Sequence, residues 1–67
     1  MKIGDAVSWN PPGGHFLGVV LHLAQQVAYV VFAGGGHWHR LETLSPVADD
    51  ECDPAELARI RAFIEDQ

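Results

Sequence analysis

The pattern of apolar and polar positions predicts a small β-sheet over most of the chain. Val27 to Phe32 is a β-branched and aromatic run, glycines occupy positions 34–36, and a second short run reaches Leu41. β-Branched and aromatic residues suit a pleated strand, and glycine adopts the positive φ angles of a tight reversal. Residues 27–41 are therefore predicted to form a β-hairpin with the three glycines as its turn.

Further strands are predicted on both sides of this hairpin. Residues 6–9 form a brief first strand with Val7 and Trp9 on one face, and residues 16–23 form a longer second strand. The loop at 10–14 carries two prolines and two glycines, which predicts a long excursion. In the second strand, alternation places Leu17, Val19, Leu21 and Leu23 on one face and Phe16, Gly18, Val20 and His22 on the other.

The third strand is apolar on both faces. Its two alternating sets are Val27, Tyr29, Val31 and Ala28, Val30, Phe32. A sheet with one face open to water alternates apolar with polar residues, so another element must cover the second face. After a turn at 24–26 and the hairpin, residues 41–47 predict a 3₁₀ turn and a short last strand.

The C-terminal segment is predicted to supply this cover as a helix over about residues 54–65. Asp53 is a favourable N-cap, Pro54 suits the first helical position, and Glu56 completes a variant of the capping box. The apolar arc of the helix consists of Leu57, Ile60, Phe63 and Ile64. A helix of this length is marginal alone, so it docks on its own sheet or on another subunit.

Length and composition limit the number of domains, the cellular compartment and the classes of partner. A chain of 67 residues has room for one domain, and the single cysteine, Cys52, excludes an internal disulfide and fits a reducing cytosol. The longest nearly unbroken apolar run, 16–24, is too short to span a bilayer, so a cytoplasmic protein without membrane contact is expected. Nine acidic residues outnumber four scattered basic ones, which disfavours a nucleic-acid partner.

Several of these positions together resemble a known fold family. They are Gly4-Asp5-x-Val7, the Pro/Gly-rich loop, Gly18-Val19-Val20, Tyr29-Val30-Val31-Phe32, Trp38 and Leu44-x-Pro46-Val47. This pattern resembles the SH3-like barrels of Tudor, KOW and related small bacterial domains over residues 3–47. The resemblance implies a mainly β fold, with a five-stranded, partly open barrel at 1–48 and an acidic connector and amphipathic helix at 49–67. It implies no particular activity, because such folds host many functions.

The aromatic residues are the first candidates for function. In Tudor and SH3 relatives, aromatic side chains near such loops form a groove or cage for methylated cations or proline-rich peptides. The alternative is that these rings build a small core. The prediction is a non-catalytic module, without a cofactor, that binds a peptide or protein. Its predicted binding residues are Trp9, His15, Phe16, Trp38 and Arg40.

A second hypothesis is metal binding by His37 and His39. Residues two apart in a strand point the same way, so these imidazoles can converge on one ion. A third ligand would come from His15, His22 or Cys52, although none stands at a recognised spacing. A bare His-x-His is a weak signal, and two strand histidines beside a glycine turn are common without metal.

Catalysis has little support in the sequence. No nucleophile motif surrounds Ser8, Ser45 or Cys52, and the glycine triplet lacks the lysine and following helix of a phosphate-binding loop. The plasmid-type dihydrofolate reductases resemble this chain as short SH3-like barrels that assemble into a tetramer around a pore. The chain lacks their Val-Gln-Ile-Tyr strand and the basic residues that hold an anionic cofactor, so such an enzyme is a distant alternative. A homodimer through the C-terminal helix or third strand is predicted if the helix does not fold back.

Overall fold

The computed structural model of the protein describes residues 1–66, apart from the side chain of Asp49. Gln67, the last residue of the predicted segment 49–67, lies outside the described residues. The strands are β1 (Ala6–Trp9), β2 (Phe16–Leu23), β3 (Val27–Phe32), β4 (Gly35–Arg40) and β5 (Leu44–Pro46), and the helix is α1 (Pro54–Glu65). Single 3₁₀ turns occupy Leu41–Thr43 and Asp49–Glu51.

All strand pairs are antiparallel and form one sheet in the order β4-β3-β2-β1-β5. The first four strands follow one another as a meander, and β5 returns to pair with β1. Within the described residues β4 and β5 do not pair, so the sheet is not closed. The predicted fold class, mainly β with five strands and a helix at 54–65, is confirmed.

The turn of the hairpin differs from the prediction. Phe32 pairs with Gly35, so the turn consists of Ala33 and Gly34, and the other two glycines belong to β4. Gly34 and Gly35 have φ angles of 124° and 154°, which favour glycine. Gly36 is needed for another reason, because a Cβ there would lie 2.7 Å from the hydroxyl oxygen of Tyr29.

The predicted alternation of β2 is wrong at its end. Val20 pairs with Val30, but the next pair joins His22 to Tyr29, which leaves Leu21 as a β-bulge. One extra residue reverses the alternation beyond it. His22 therefore lies on the face of Tyr29, with ring centroids 6.1 Å apart, and not on the face of Val20.

The sheet has an apolar layer on each face. The first layer, under the helix, has a buried core of Ala6, Val19, Val31, Leu57 and Ile60. The second layer, on the opposite face, has a buried core of Val7, Val20, Ala28, Val30 and Leu44, with Trp9 and Phe32 packed against it. Both faces of β3 are thus covered, as its two-sided apolar pattern predicts.

The helix folds back onto its own sheet. Asp53 caps it by accepting a hydrogen bond from the backbone N–H of Ala55 at 3.0 Å, and Leu57 and Ile60 are buried against β2 and β3. A homodimer is predicted only for a helix that does not fold back. The helix does fold back in this structure, so that condition is not met. Among the described residues, no helix has the length and apolar character needed to cross a membrane.

Candidate ligand groove

An open groove of about 600 Å³ lies on the sheet face opposite α1. It is bordered by the β3–β4 turn and by six residues that carry aromatic or imidazole rings. These residues, here called the aromatic groove, are Trp9, Phe16, Phe32, His37, Trp38 and His39. The curl of the sheet brings β4 next to β1, although two strands separate them in the hydrogen-bonded order.

Gly18 allows the rings to gather. It lies between Val7 on β1 and the β3 strand, and the Phe32 ring rests over its backbone. A Cβ at Gly18 would lie 3.0 Å from Phe32 Cε1 and would collide with Val30. Any larger residue would therefore force Val30, and with it Phe32, to shift.

Three of the rings form a cluster with one exposed member. The ring centroids of Trp9 and Phe16 are 5.5 Å apart, and those of Trp9 and Phe32 are 6.1 Å apart. Phe16 meets Phe32 edge to face at 6.5 Å. These distances are favourable for aromatic pairs. Phe16 nevertheless keeps 49% of its surface exposed, so the cluster ends in an apolar face open to solvent.

His39 forms the inner wall of the groove. Its ring centroid is 4.6 Å from that of Trp9 and 5.6 Å from that of Phe32, which it meets at 90°. Its Nε2 is buried and has no hydrogen-bond partner among the described residues. Burial lowers the pKa of His39 below its ordinary value of 6.5, and the neighbouring charge of His37 lowers it further. The folded environment thus disfavours the protonated imidazole.

His37 and His39 share a face of β4, as the two-residue spacing predicts, with ring centroids 6.3 Å apart. Among the described side chains, however, no group of three or more His, Cys, Asp or Glu residues could hold a metal ion together. The proposed third ligands, His15, His22 and Cys52, thus do not complete a site with this pair.

The five predicted binding residues do not form one surface. Trp9, Phe16 and Trp38 border the groove, but the Trp38 indole packs edge to face on Tyr29, whose side chain belongs to the helix-side layer. Trp38 is 55% exposed there. His15 and Arg40 lie elsewhere.

His15 is tied to the Pro/Gly loop. Its Nδ1 lies 2.7 Å from Asn10 Oδ1, which also accepts a hydrogen bond from the Ser8 hydroxyl at 2.8 Å. Arg40 is exposed beside Glu42, with 3.7 Å between guanidinium nitrogen and carboxylate oxygen. Neither side chain borders the groove.

Phe32, His37 and His39 are groove residues that the predicted binding set lacks. Alternation in β3 places Phe32 on the same face as Ala28 and Val30. With a two-residue turn, Ala28 pairs with His39 and Val30 pairs with His37, so both histidines lie on this face as well. A three-residue turn, as predicted from the glycines, does not give this register.

Charge is absent from the part of the chain that builds the groove. Residues 6–39 contain no Asp, Glu, Lys or Arg, although all four histidines lie between positions 15 and 39. The formal net charge of −5 comes entirely from residues 49–66, which carry seven acidic and two basic side chains. The helix that belongs to this acidic segment packs on the other face of the sheet.

No protein-family model matches this chain, and neither curated proteins nor solved structures yielded a match.

Proposed function

We propose that the protein is a small non-catalytic interaction module whose aromatic groove binds an apolar or aromatic side chain of a peptide or protein partner. The observation that carries the proposal is the ring cluster of Trp9, Phe16 and Phe32, which remains half open to solvent at Phe16. Exposed, contiguous apolar surface in a concave site is typical of binding surfaces.

The residues that border the groove favour ligand binding over catalysis. The rings of the groove belong to aromatic residues and two histidines, and the residues that border it include no Asp, Glu, Lys or Arg. Full burial of an aromatic or aliphatic side chain contributes about 1.5–3 kcal/mol, which is the upper bound for a side chain packed on these rings. The meander with β5 returned to β1 supports the further proposal that the domain is SH3-like.

Selection from a random 12-residue peptide library displayed on phage tests this function with no partner chosen in advance. Peptides enriched on the wild-type protein are synthesised, and their dissociation constants are measured by calorimetry. We expect Phe16→Ala to weaken binding by about tenfold or more, because the variant removes the exposed ring on which the ligand packs.

Leu23→Ala is the matched control. Leu23 is also partly exposed, at 37%, and does not border the groove, so its removal should leave affinity unchanged. Equal affinity of wild type and Phe16→Ala, or failure of the library to yield any binding peptide, would contradict the proposed function.

A further inference from the structure

β4 is an unprotected edge of the open sheet. It pairs with β3 along six residue pairs, from Val27↔Arg40 to Phe32↔Gly35, and has no strand on its other side among the described residues. Protected edges commonly carry charged side chains, above all lysine, or proline; β4 has neither lysine nor proline, and its one charged side chain, Arg40, lies at its C-terminal end beside Glu42. The other edge, β5, is only three residues long and ends in Pro46.

The register identifies the backbone groups that face the open edge. Leu41 N–H donates to the carbonyl of Gln26 at 3.0 Å, so this pair is a hydrogen-bonded one in the β3–β4 register. Hydrogen-bonded and non-hydrogen-bonded pairs alternate in an antiparallel ladder. Gly36, Trp38 and Arg40 therefore direct their N–H and C=O groups away from β3.

The same edge borders the aromatic groove. His37 and His39 of β4 line the groove, and His39 touches Trp9 of β1. A strand added beside β4 thus runs along the groove, with Trp9 and Phe16 within reach of its side chains. The residues that border the groove include no Asp, Glu, Lys or Arg, and Arg40, at the far end of β4, is exposed beside Glu42 at 3.7 Å. A charged side chain placed over the groove would therefore lose hydration without an ion pair in return.

We propose that the groove's occupant is an uncharged, extended segment of another protein, which hydrogen-bonds to the open edge of β4 as a sixth strand and places an apolar side chain on Trp9 and Phe16. This inference rests on the proposed function and adds the partner's conformation and charge. The backbone of β4 supplies affinity, and the aromatic rings supply selectivity.

Two substitutions of Trp38 distinguish the contribution of the backbone N–H to binding from the contribution of the side chain. Trp38→Pro removes the outward N–H as well as the indole, whereas Trp38→Ala removes the indole and keeps the N–H. Proline is tolerated on edge strands where its nitrogen faces solvent, so the β3–β4 ladder stays intact. With the library-selected peptides, we expect Trp38→Pro to bind about tenfold more weakly than Trp38→Ala, because edge hydrogen bonding is lost.

Peptides provide a readout that does not depend on the folding of either variant. Two versions of a selected peptide are methylated on alternate backbone nitrogens. Pairing to β4 uses every second N–H of the peptide, so one version should lose binding and the other should keep it. The selected sequences should also be depleted in Asp, Glu, Lys and Arg.

The outcomes distinguish this inference from the proposed function. If Phe16→Ala loses binding while Trp38→Pro and Trp38→Ala bind equally, or both methylated peptides bind alike, the groove binds its ligand without strand pairing and the inference fails. Enrichment of charged peptides also overturns it. Light scattering tests whether the protein forms a dimer. If it does, and if Trp38→Pro dissociates the dimer, a second copy of this chain occupies the edge and the inference is contradicted.

Equal peptide binding by wild type and Phe16→Ala overturns the proposed function itself.

Discussion

The His39 ring packs between Trp9 and Phe32, and its Nε2 is buried. Protonation would put a positive charge on a ring whose buried nitrogen has no acceptor within the described part of the chain, so the fold favours the neutral imidazole. The unfolded chain has no such constraint. The difference between the two states makes stability depend on pH.

We expect the free energy of unfolding to fall as the pH is lowered through 6.5. The unfolded imidazole takes up a proton near its ordinary pKa of 6.5, and the folded one does so only at lower pH, so protons favour the unfolded state in this window. The measurement is urea unfolding between about pH 8 and pH 5 for wild type and His39→Phe. The stability of the variant relative to wild type should increase towards low pH, and a constant difference would contradict the assignment.

At the residue scale, alternation in β4 correctly predicts that His37 and His39 share a face. It does not predict that this face meets Trp9, which lies thirty positions earlier than His39 in the chain. That contact depends on sheet curl and on the close approach at Gly18, neither of which leaves a periodic signal. The Trp38 indole, predicted to join Trp9, instead packs on Tyr29 because neighbouring residues of a strand face opposite sides.

The helix α1 is the element that seals the second face of the sheet. Its Asp53 cap, its proline and its apolar arc could all be predicted from local spacing, because each acts within one or two turns. The bulge at Leu21 and the hairpin turn at Ala33–Gly34 could not be predicted, since a one-residue change in register is decided by packing across strands.

We expect Ile60→Val to lower the free energy of unfolding by about 0.5–1.5 kcal/mol, because Ile60 is fully buried between α1 and the sheet. Ile3→Val is the matched control, since the same methylene is removed from a side chain that is 63% exposed. Urea unfolding followed by circular dichroism gives both values. Equal effects of the two substitutions would mean that the helix does not dock as described.

At the scale of the whole molecule, the chain separates charge from its binding surface. The acidic segment 49–66 carries the entire formal net charge, and its helix occupies the face opposite the groove. The five-stranded architecture could be predicted from turns and apolar runs. That the sheet stays open was expected only from the resemblance, because no single segment encodes the gap between β4 and β5.

This separation predicts how binding responds to salt. We expect the affinity for library-selected peptides to change by less than about twofold between about 0.05 M and 0.5 M sodium chloride, because salt screens only charged interactions. Calorimetry at several salt concentrations measures it. A decrease of about tenfold or more would show that ion pairs, rather than ring contacts and strand pairing, hold the ligand.

The uneven distribution of acidic residues also gives the protein a preferred orientation in an electric field. Near a strongly anionic body, such as a nucleic acid or a layer of acidic phospholipids, repulsion turns the helix outward. The molecule then approaches such a body with its bare aromatic side leading, so that side is the first to meet whatever is displayed there.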